Sequence, residues 1–220
     1  MKDKIKIINM LGESVSISVG NDNGTVTVTV DRPEDKAVLS SLCPGDIFRA
    51  GGAEYIVLEQ YGNSKAAVVR REALDGSMVF DPYSSSWKTS SVRAYLNSVY
   101  LEGLTEVFGL GNIAAYVTDM LSLDGLGDRG KCVDKVSLLN IEQYRRYRRY
   151  MGEPLGRPWW LVTPDSAPSG FSGNSVLYVG EAGDIGLQPC SFSSAVRPFF
   201  MLRSDVRVGL VRRYEVDRWR

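Results

Sequence analysis

The sequence predicts an α+β protein built mainly from antiparallel strands, with two or three helices. Its apolar residues fall in short runs of strand length, and turn residues, including many of the 22 glycines, separate these runs. Segments near residues 92–99 and 140–151 instead place apolar side chains at helical spacing. An apolar content of 44% in 220 residues is enough for a sizeable core.

The first predicted element is a β-hairpin within residues 1–40, which we expect to form an appendage. Residues 13–19 and 25–31 each alternate polar and apolar side chains, and a glycine-bounded turn separates them. A short helix is predicted over residues 34–41. Residues 41–220 are then expected to form the main domain.

The main domain is predicted to open with a three-stranded meander over residues 46–71. Thr89 or Ser90 is a suitable N-cap for the helix that follows. The later predicted elements are, in order, helices over 92–97 and 101–108, strands over 113–121 and 133–139, a helix from Asn140 to about Met151, and strands over 159–162, 176–179, 185–187 and 196–202.

Composition excludes several kinds of chemistry. The chain has no histidine, which excludes Ser-His-Asp triads, Cys-His dyads and histidine-ligated metal sites. Cys43, Cys132 and Cys190 form no C-x-x-C pair, and we interpret them as free thiols in a reducing compartment, with a disulfide or a catalytic thiol as alternatives. We therefore expect a protein that is not an enzyme.

Charge and hydropathy bear on location and partners. Lys+Arg and Asp+Glu number 26 each, and this balance disfavours nucleic acid or an anionic membrane as the main partner. No apolar run reaches the roughly 18 residues that a membrane span needs. The charged segment Lys2-Asp3-Lys4-Ile5-Lys6 does not fit a signal peptide. We expect no membrane association.

Five motifs occur in one order within residues 44–202. They are Trp87-x-x-Ser90-x-x-Arg93-x-Tyr95-Leu96-Asn97, Asp134-Lys135-Val136-Ser137-Leu138-Leu139 followed by Glu142, Trp159-Trp160-Leu161-x-x-Pro164, Tyr178-Val179 followed by Gly183-x-Ile185, and Ala195-Val196-Arg197-Pro198-Phe199-Phe200-x-Leu202. Together they resemble a family of uncharacterised domains of gut-type bacteria and their phages, with the pattern W-x-x-S-x-L-R-x-W-L-N, D-K-V-F-L-L-S-x-x-E, W-W-L-R-S-P, V-x-x-x-G-x-I and G-V-R-P-A-L. This chain departs from the pattern at Val162-Thr163, which replaces Arg-Ser, and at Ala195, which replaces glycine.

The last three motifs also resemble the end of C-type-lectin-like folds. In those folds a tryptophan-rich strand, a loop excursion and a closing arginine-bearing strand frame a ligand surface. The resemblance implies a C-type-lectin-like domain over residues 41–220 that binds a protein or glycan. Its expected location is the cytoplasm or a virion. The expected assembly is a homo-oligomer or part of a virion. The oxygen-dependent enzymes of that wider group use cysteines, and no matching pair is present here.

The ligand face is predicted at two polar loops, residues 163–175 and 188–194. Long loops on a rigid scaffold often carry binding residues, and both loops mix an aromatic ring with small polar side chains. The predicted ligand-binding residues are Trp160, Phe171, Ser172, Asn174, Tyr178, Phe192, Ser194 and Arg197. The alternative role for Trp160 is packing in the core rather than ligand binding. For Arg197 the alternative is a buried bond to loop carbonyls or to Glu142 or Asp134.

A second hypothesis rests on the segment Tyr144-Arg145-Arg146-Tyr147-Arg148-Arg149-Tyr150. Its arginines, with those of the tail from residue 203 onward, form a basic face for an acidic partner or for phosphates. The protein would then be an intracellular phage or bacterial effector that inhibits a host protein. The alternative is a helix that packs its tyrosines on one side and leaves Arg145, Arg146, Arg148 and Arg149 in solvent.

Four aspartates raise the question of calcium. They are Asp119, Asp124, Asp128 and Asp134. Their spacing does not match an EF-hand, because the bidentate glutamate that should follow is missing. Aspartates of this kind commonly form turns. We therefore expect neither a metal ion nor another cofactor.

Overall fold

The computed structural model describes residues 16–22, 25–31, 35–62, 64–166 and 174–214. The chain divides into two compact units, Met1–Asp35 and Lys36–Arg220. The smaller unit contains an antiparallel hairpin of β1 (Ser16–Asp22) and β2 (Thr25–Asp31). Its register pairs Ile17 with Val30 and Val19 with Val28. β2 has the predicted bounds, whereas β1 continues past the predicted end at residue 19, since Gly20 pairs with Thr27 and Asp22 with Thr25.

The larger unit contains fifteen further strands and three α-helices among the described residues. The helices are α1 (Ser91–Leu96), α2 (Val99–Phe108) and α3 (Ile141–Tyr147). The strands are β3 (Asp35–Val38), β4 (Ile47–Ala50), β5 (Ala53–Tyr61), β6 (Lys65–Arg70), β7 (Met78–Val79), β8 (Ile113–Ala114), β9 (Tyr116–Asp119), β10 (Lys131–Asp134), β11 (Val136–Ser137), β12 (Trp159–Pro164), β13 (Ser175–Val179), β14 (Ile185–Pro189), β15 (Ser193–Ser194), β16 (Phe199–Arg203) and β17 (Arg207–Arg212). The predicted α+β class with mainly antiparallel strands is confirmed.

The main sheet has the strand order β11-β16-β6-β5-β4-β17-β3, and β8 also pairs with β16. Strands β4, β5 and β6 form the predicted meander, with β4 and β6 each antiparallel to β5. A smaller sheet has the order β12-β13-β14, and two-stranded pairs join β9 to β10 and β7 to β15. In the part of the chain that the structure describes, no helix is long and apolar enough to cross a membrane.

Two segments that join the main sheet next to the meander, residues 35–41 and the tail beyond residue 202, differ from the sequence prediction. Residues 35–38 form a strand rather than a helix, and only Leu39–Ser41 turns helically, as a 3₁₀ turn. The cause is long-range pairing, since β3 lies beside β17 in the main sheet and the next residue, Leu39, donates its N–H to the Val206 carbonyl at 2.9 Å. The tail beyond residue 202 contributes β17, whose Val208 is buried in the core. Residues 36–40 thus belong to the larger unit.

The main sheet is buried on both faces. In β16, Phe200 and Leu202 belong to the core cluster that contains α1 and α2, whereas Phe199 and Met201 belong to the cluster that contains α3. Successive side chains of a strand point to opposite faces, so a strand covered on both sides needs a continuous apolar run. This accounts for the unbroken apolar segments of β6 and β16.

The first two motifs meet in one buried polar network. The carboxylate of Asp134 accepts hydrogen bonds from Trp87 Nε1 at 2.8 Å and from Arg93 Nε at 2.7 Å. Asn97 Oδ1 accepts from the backbone N–H of Lys135 at 3.1 Å, which ties α1 to the segment before β11. Ser90 caps α1 as predicted, since its side chain accepts from the Arg93 N–H. The motif residues therefore hold α1 against the sheet.

Candidate functional site

The predicted ligand-binding residues do not form one exposed face. Asn174 is exposed, as is Phe192 at 58%, and Tyr178 is half-buried. Three others have 3% of their surface exposed or less: Trp160, Ser194 and Arg197. Phe171 and Ser172 lie outside the described residues. Burial thus separates these residues into an exposed group and an interior group.

The buried members have structural partners. Trp160 has no exposed surface, its Nε1 donates to the Met78 carbonyl at 2.9 Å, and its ring meets Phe80 edge-on. Ser194 accepts a hydrogen bond from the side chain of Gln188. A fully buried indole cannot reach a ligand in solvent, so Trp160 belongs to the core rather than to a ligand face.

The described ends of the two predicted loops lie side by side. The Cys190 N–H donates to the Asn174 carbonyl at 2.8 Å, and Ser175 is paired with Pro189. Next to them, the Asp81 N–H donates to the Cys190 carbonyl at 3.1 Å. The loop that begins at Asp81 carries Tyr83, which is 86% exposed and was not predicted.

Arg197 is a buried cation. Its Nε and Nη2 donate to the carbonyls of Arg70 at 2.9 Å and Arg71 at 2.7 Å. Its Cζ lies 5.3 Å from the ring centroid of Trp159. Within the described ranges no carboxylate forms an ion pair with it.

The carboxylates considered as partners of Arg197 are engaged elsewhere. Asp134 pairs with Arg93 at 2.7 Å, and Glu142 pairs with Arg145 at 3.1 Å. Burial lowers the pKa of Arg197 to about 10, although Glu72 and Tyr144 act in the opposite direction. The guanidinium still carries its charge at neutral pH. It is therefore a fixed positive charge held in the interior, which is costly unless something compensates it.

Arg197 lies beside a pocket of about 510 Å³, which we call the arginine pocket. The pocket is bounded by α3 and the 3₁₀ turn that follows it, by the segment 151–155, and by β12 and β13. It brings Arg197 together with three residues of the predicted basic face: Arg145, Arg148 and Arg149. Arg146 does not line it and instead pairs with Glu59 at 2.6 Å. The structure thus joins residues that the sequence assigned to two separate hypotheses.

Local sequence explains how α3 presents these arginines. Asn140 and Gln143 form a capping box, with bonds of 2.8 and 2.9 Å between each side chain and the other's backbone N–H. Tyr144 and Tyr147 are buried, as their spacing predicts, so the arginines between and after them face outward. Tyr144 Oη donates to the Gly183 carbonyl at 2.8 Å, which fixes the helix against the turn between β13 and β14.

Gly183 keeps the side of the pocket open. Its backbone has φ +82°, which favours glycine, and an added Cβ would lie 2.9 Å from Arg148 Nη2 and 3.5 Å from Tyr144 Oη. Glu153 and Trp159 also line the pocket, and the sequence did not predict either as a site residue. The signal that was available was a lone arginine within the apolar run 195–202.

The charges around the pocket are unequal. In the described part of the chain, Arg148, Arg149 and Arg197 form no ion pair, and Glu153 is the one carboxylate among the lining residues. The Cζ of Arg148 lies 5.7 Å from the Tyr144 ring centroid, and that of Arg149 lies 4.6 Å from the Tyr150 centroid. Guanidiniums held in this way are suited to bind a carboxylate or phosphate group.

The buried tyrosines predict a loss of stability in alkaline solution. Partial or full burial of the side chain is the main cause that raises the pKa of six tyrosines, of which Tyr61 is the most exposed at 39%: Tyr55, Tyr61, Tyr100, Tyr116, Tyr144 and Tyr147. A raised folded-state pKa gives stability that is fully present below the unfolded value of about 10 and is lost as the pH rises through the folded value. Arg197 acts oppositely, since its lowered pKa adds stability as it loses its proton.

Burial also lowers the pKa of Arg129. Because six tyrosines outweigh these two arginines, we expect the free energy of unfolding to fall steadily above about pH 10. Urea unfolding at several values from about pH 8 to about pH 11 measures this change. A free energy that stays level or rises over that interval would contradict the raised pKa of these phenols in the folded protein.

The aspartates considered for calcium do not converge on one point. Asp119 pairs with Lys131 at 3.0 Å, and Asp134 is held by Arg93 and Trp87. Asp124 accepts from the Leu126 N–H at 3.1 Å, as a turn-forming residue does. Among the described residues, no group of three or more cysteine, aspartate or glutamate side chains is positioned to hold a metal ion.

The candidate site is thus defined by its geometry: a pocket lined by guanidiniums that come from two segments far apart in the sequence. The resemblances noted for the motifs remain expectations. The chain matches no protein-family model, no curated protein and no solved structure.

Proposed function

We propose that the protein is a non-enzymatic recognition module of C-type-lectin-like fold that binds an acidic group of a protein or glycan in the arginine pocket. The observation that carries this proposal is the buried guanidinium of Arg197, which has no carboxylate partner among the described residues and lies beside Arg148 and Arg149. A buried charge without an ion-pair partner is costly, and such groups concentrate at functional sites. An anionic ligand would offset that cost.

The lectin-like part of the proposal is supported by how the last motifs meet. Trp159 of β12 forms a parallel bridge with Ala195, and the Trp160 N–H donates to the Ala195 carbonyl at 3.0 Å. The guanidinium of Arg197 then lies against the Trp159 ring. A tryptophan-rich strand and an arginine-bearing segment thus border one pocket, as the resemblance implies for a ligand surface.

The proposed setting is the cytoplasm or a virion. In either setting, the hairpin of β1 and β2 would serve attachment or oligomerisation. The exposed Phe192 and Asn174 lie outside the lining of the arginine pocket and would make secondary contacts with a larger ligand. Nucleic acid is not the proposed partner, because the whole chain carries no net charge.

A second candidate is an intracellular effector that inhibits a host protein through its basic face. It is favoured by the exposure of two arginine side chains on α3, 57% for Arg145 and 65% for Arg146. The two candidates differ in the residues that matter. Recognition in the pocket depends on Arg148 and not on Arg146, whereas a flat basic face uses both.

An array of acidic and neutral glycans and peptides, probed with the purified chain, tests the proposal. We expect acidic members to be retained, and retention to be lost in Arg148→Ala but kept in Arg146→Ala. Size-exclusion chromatography with light scattering on the same samples reports whether each variant keeps its oligomeric state.

Two results would overturn this assignment. Equal loss in both arginine variants would favour the effector hypothesis and its flat face. Loss in Phe192→Ala, with retention in Arg148→Ala, would move the binding site to the exposed loops and away from the pocket.

A further inference from the structure

The charge balance of the arginine pocket indicates what kind of anion fits it. Arg145 is balanced by Glu142, with which it pairs at 3.1 Å. Among the remaining lining residues, three guanidiniums (Arg148, Arg149 and Arg197) accompany a single carboxylate, that of Glu153, so the lining carries an excess of two positive charges; Glu72, outside the lining, also acts on Arg197. This count covers the described residues only. A monoanion such as a carboxylate would neutralise one of the two charges, whereas a dianion neutralises both.

The source of the donors favours an anion with several acceptor oxygens. The guanidinium of Arg197 is held in one position, because two of its N–H groups donate to the Arg70 and Arg71 carbonyls. Arg148 and Arg149 belong to the 3₁₀ turn after α3, a segment separate from the one that carries Arg197. A carboxylate offers two oxygens in one plane, whereas a phosphate monoester offers three arranged tetrahedrally. The three tetrahedral oxygens of a phosphate can accept hydrogen bonds from donors on two segments more readily than the two coplanar oxygens of a carboxylate can.

We infer that the acidic group bound in the arginine pocket is the dianion of a phosphate monoester, an inference that rests on the proposed function of the same pocket. The volume of about 510 Å³ lies within the range of small-molecule sites. It leaves room for part of the sugar or amino acid that carries the phosphate. A phosphosugar and a phosphorylated amino acid share this chemistry, and comparing the binding of one probe of each kind separates them.

The pH dependence of binding separates a phosphate from a carboxylate. A phosphate monoester gains its second charge near pH 6, whereas a carboxylate is already ionised. The chain has no histidine, the side chain whose ordinary pKa lies in this interval. Besides the arginines, the ionisable groups that line the pocket are Tyr144 and Glu153, and Glu72 and Asp184 act on Arg197 and Tyr144 respectively. The ligand is therefore the expected source of a change between about pH 5 and pH 7.5.

Isothermal titration of the full chain at constant ionic strength tests the inference. The probes are inorganic phosphate, glucose 6-phosphate and O-phosphoserine, with glucuronate as the carboxylate and glucose and serine as neutral counterparts. We expect the phosphate probes to bind, and their affinity to rise about tenfold as the dianion forms. The stronger of glucose 6-phosphate and O-phosphoserine identifies the carrier.

Variants connect the binding to the pocket. Arg148→Ala and Arg149→Ala are each expected to weaken phosphate binding about tenfold, because each removes a charge-assisted donor. Arg203→Ala is the matched control, since Arg203 pairs with Asp205 outside the pocket and is 54% exposed. Arg148 and Arg149 are chosen for substitution because a change at the buried Arg197 would also affect folding.

The outcomes distinguish this inference from the proposed function. Glucuronate binding as tightly as glucose 6-phosphate, with no change between pH 5 and 7.5, would overturn the phosphate assignment and leave an acidic-ligand module standing. If no phosphate probe bound while acidic members of the array were still retained, the phosphate assignment would also be overturned and an acidic-ligand module would still stand. Phosphate binding that Arg148→Ala and Arg149→Ala leave intact would refute the pocket itself.

Discussion

Replacing Asp134 by alanine is expected to lower the free energy of unfolding by about 3–5 kcal/mol, which is a large part of the stability of an ordinary domain. The Asp134 side chain has no exposed surface and accepts from both Arg93 Nε and Trp87 Nε1. Its removal leaves a guanidinium that is 29% exposed and a buried indole N–H without their acceptor. The cost therefore comes from unsatisfied donors as well as from the lost attraction.

Urea unfolding followed by tryptophan fluorescence measures this effect. Asp119→Ala is the matched control, because Asp119 and Lys131 form an exposed pair with side-chain exposures of 41% and 64%. Such pairs contribute about 0–1 kcal/mol. Asp134→Asn keeps the shape but loses the charge, so we expect a value between the two. A difference below about 1 kcal/mol for Asp134→Ala would show that the network does not hold α1 in place.

The second large effect is expected at Trp160, whose change to alanine should cost about 3–5 kcal/mol. The ring lies in the core with 0% exposure and meets Phe80 at a centroid distance of 5.6 Å. The substitution leaves a cavity and also removes the donor to the Met78 carbonyl. The same urea titration measures it.

Two variants separate a core role from a ligand role for Trp160. Trp160→Phe keeps most of the packing and should cost clearly less than alanine. Tyr83→Ala removes an aromatic ring that is 86% exposed and should change stability by less than about 0.5 kcal/mol. If Trp160→Ala kept its stability but lost binding to acidic probes, the ring would belong to the ligand site after all.

The sequence predicts elements whose signals are local. The meander follows from strand-length runs broken by turn residues such as Gly51-Gly52, both of which have positive φ. Ser90 and Asn140 begin helices because their side chains accept from backbone N–H groups three residues later. The tyrosine spacing of α3 likewise gives its buried face.

What the sequence did not predict depends on contacts far apart along the chain. Strand β3 forms because residues near 206 pair with it, and residues 35–38 carry no sign of that partner. The pocket needs Arg148 and Arg197, which are 49 positions apart and lie on elements whose packing no local pattern encodes. Trp159 and Trp160 are adjacent, yet strand alternation assigns them to different core clusters.

The position of β17 has a consequence for how the protein acquires its structure during synthesis. This strand, the last of those described, lies between β4 and β3, which are made much earlier. Until residues 207–212 have left the ribosome, β4 keeps one edge without a hydrogen-bonding neighbour and β3 has no place in the sheet. Open strand edges attract other chains, and pairings between distant segments form slowly. The nascent protein therefore passes through a stage in which an edge of β4 is open to pairing with other chains.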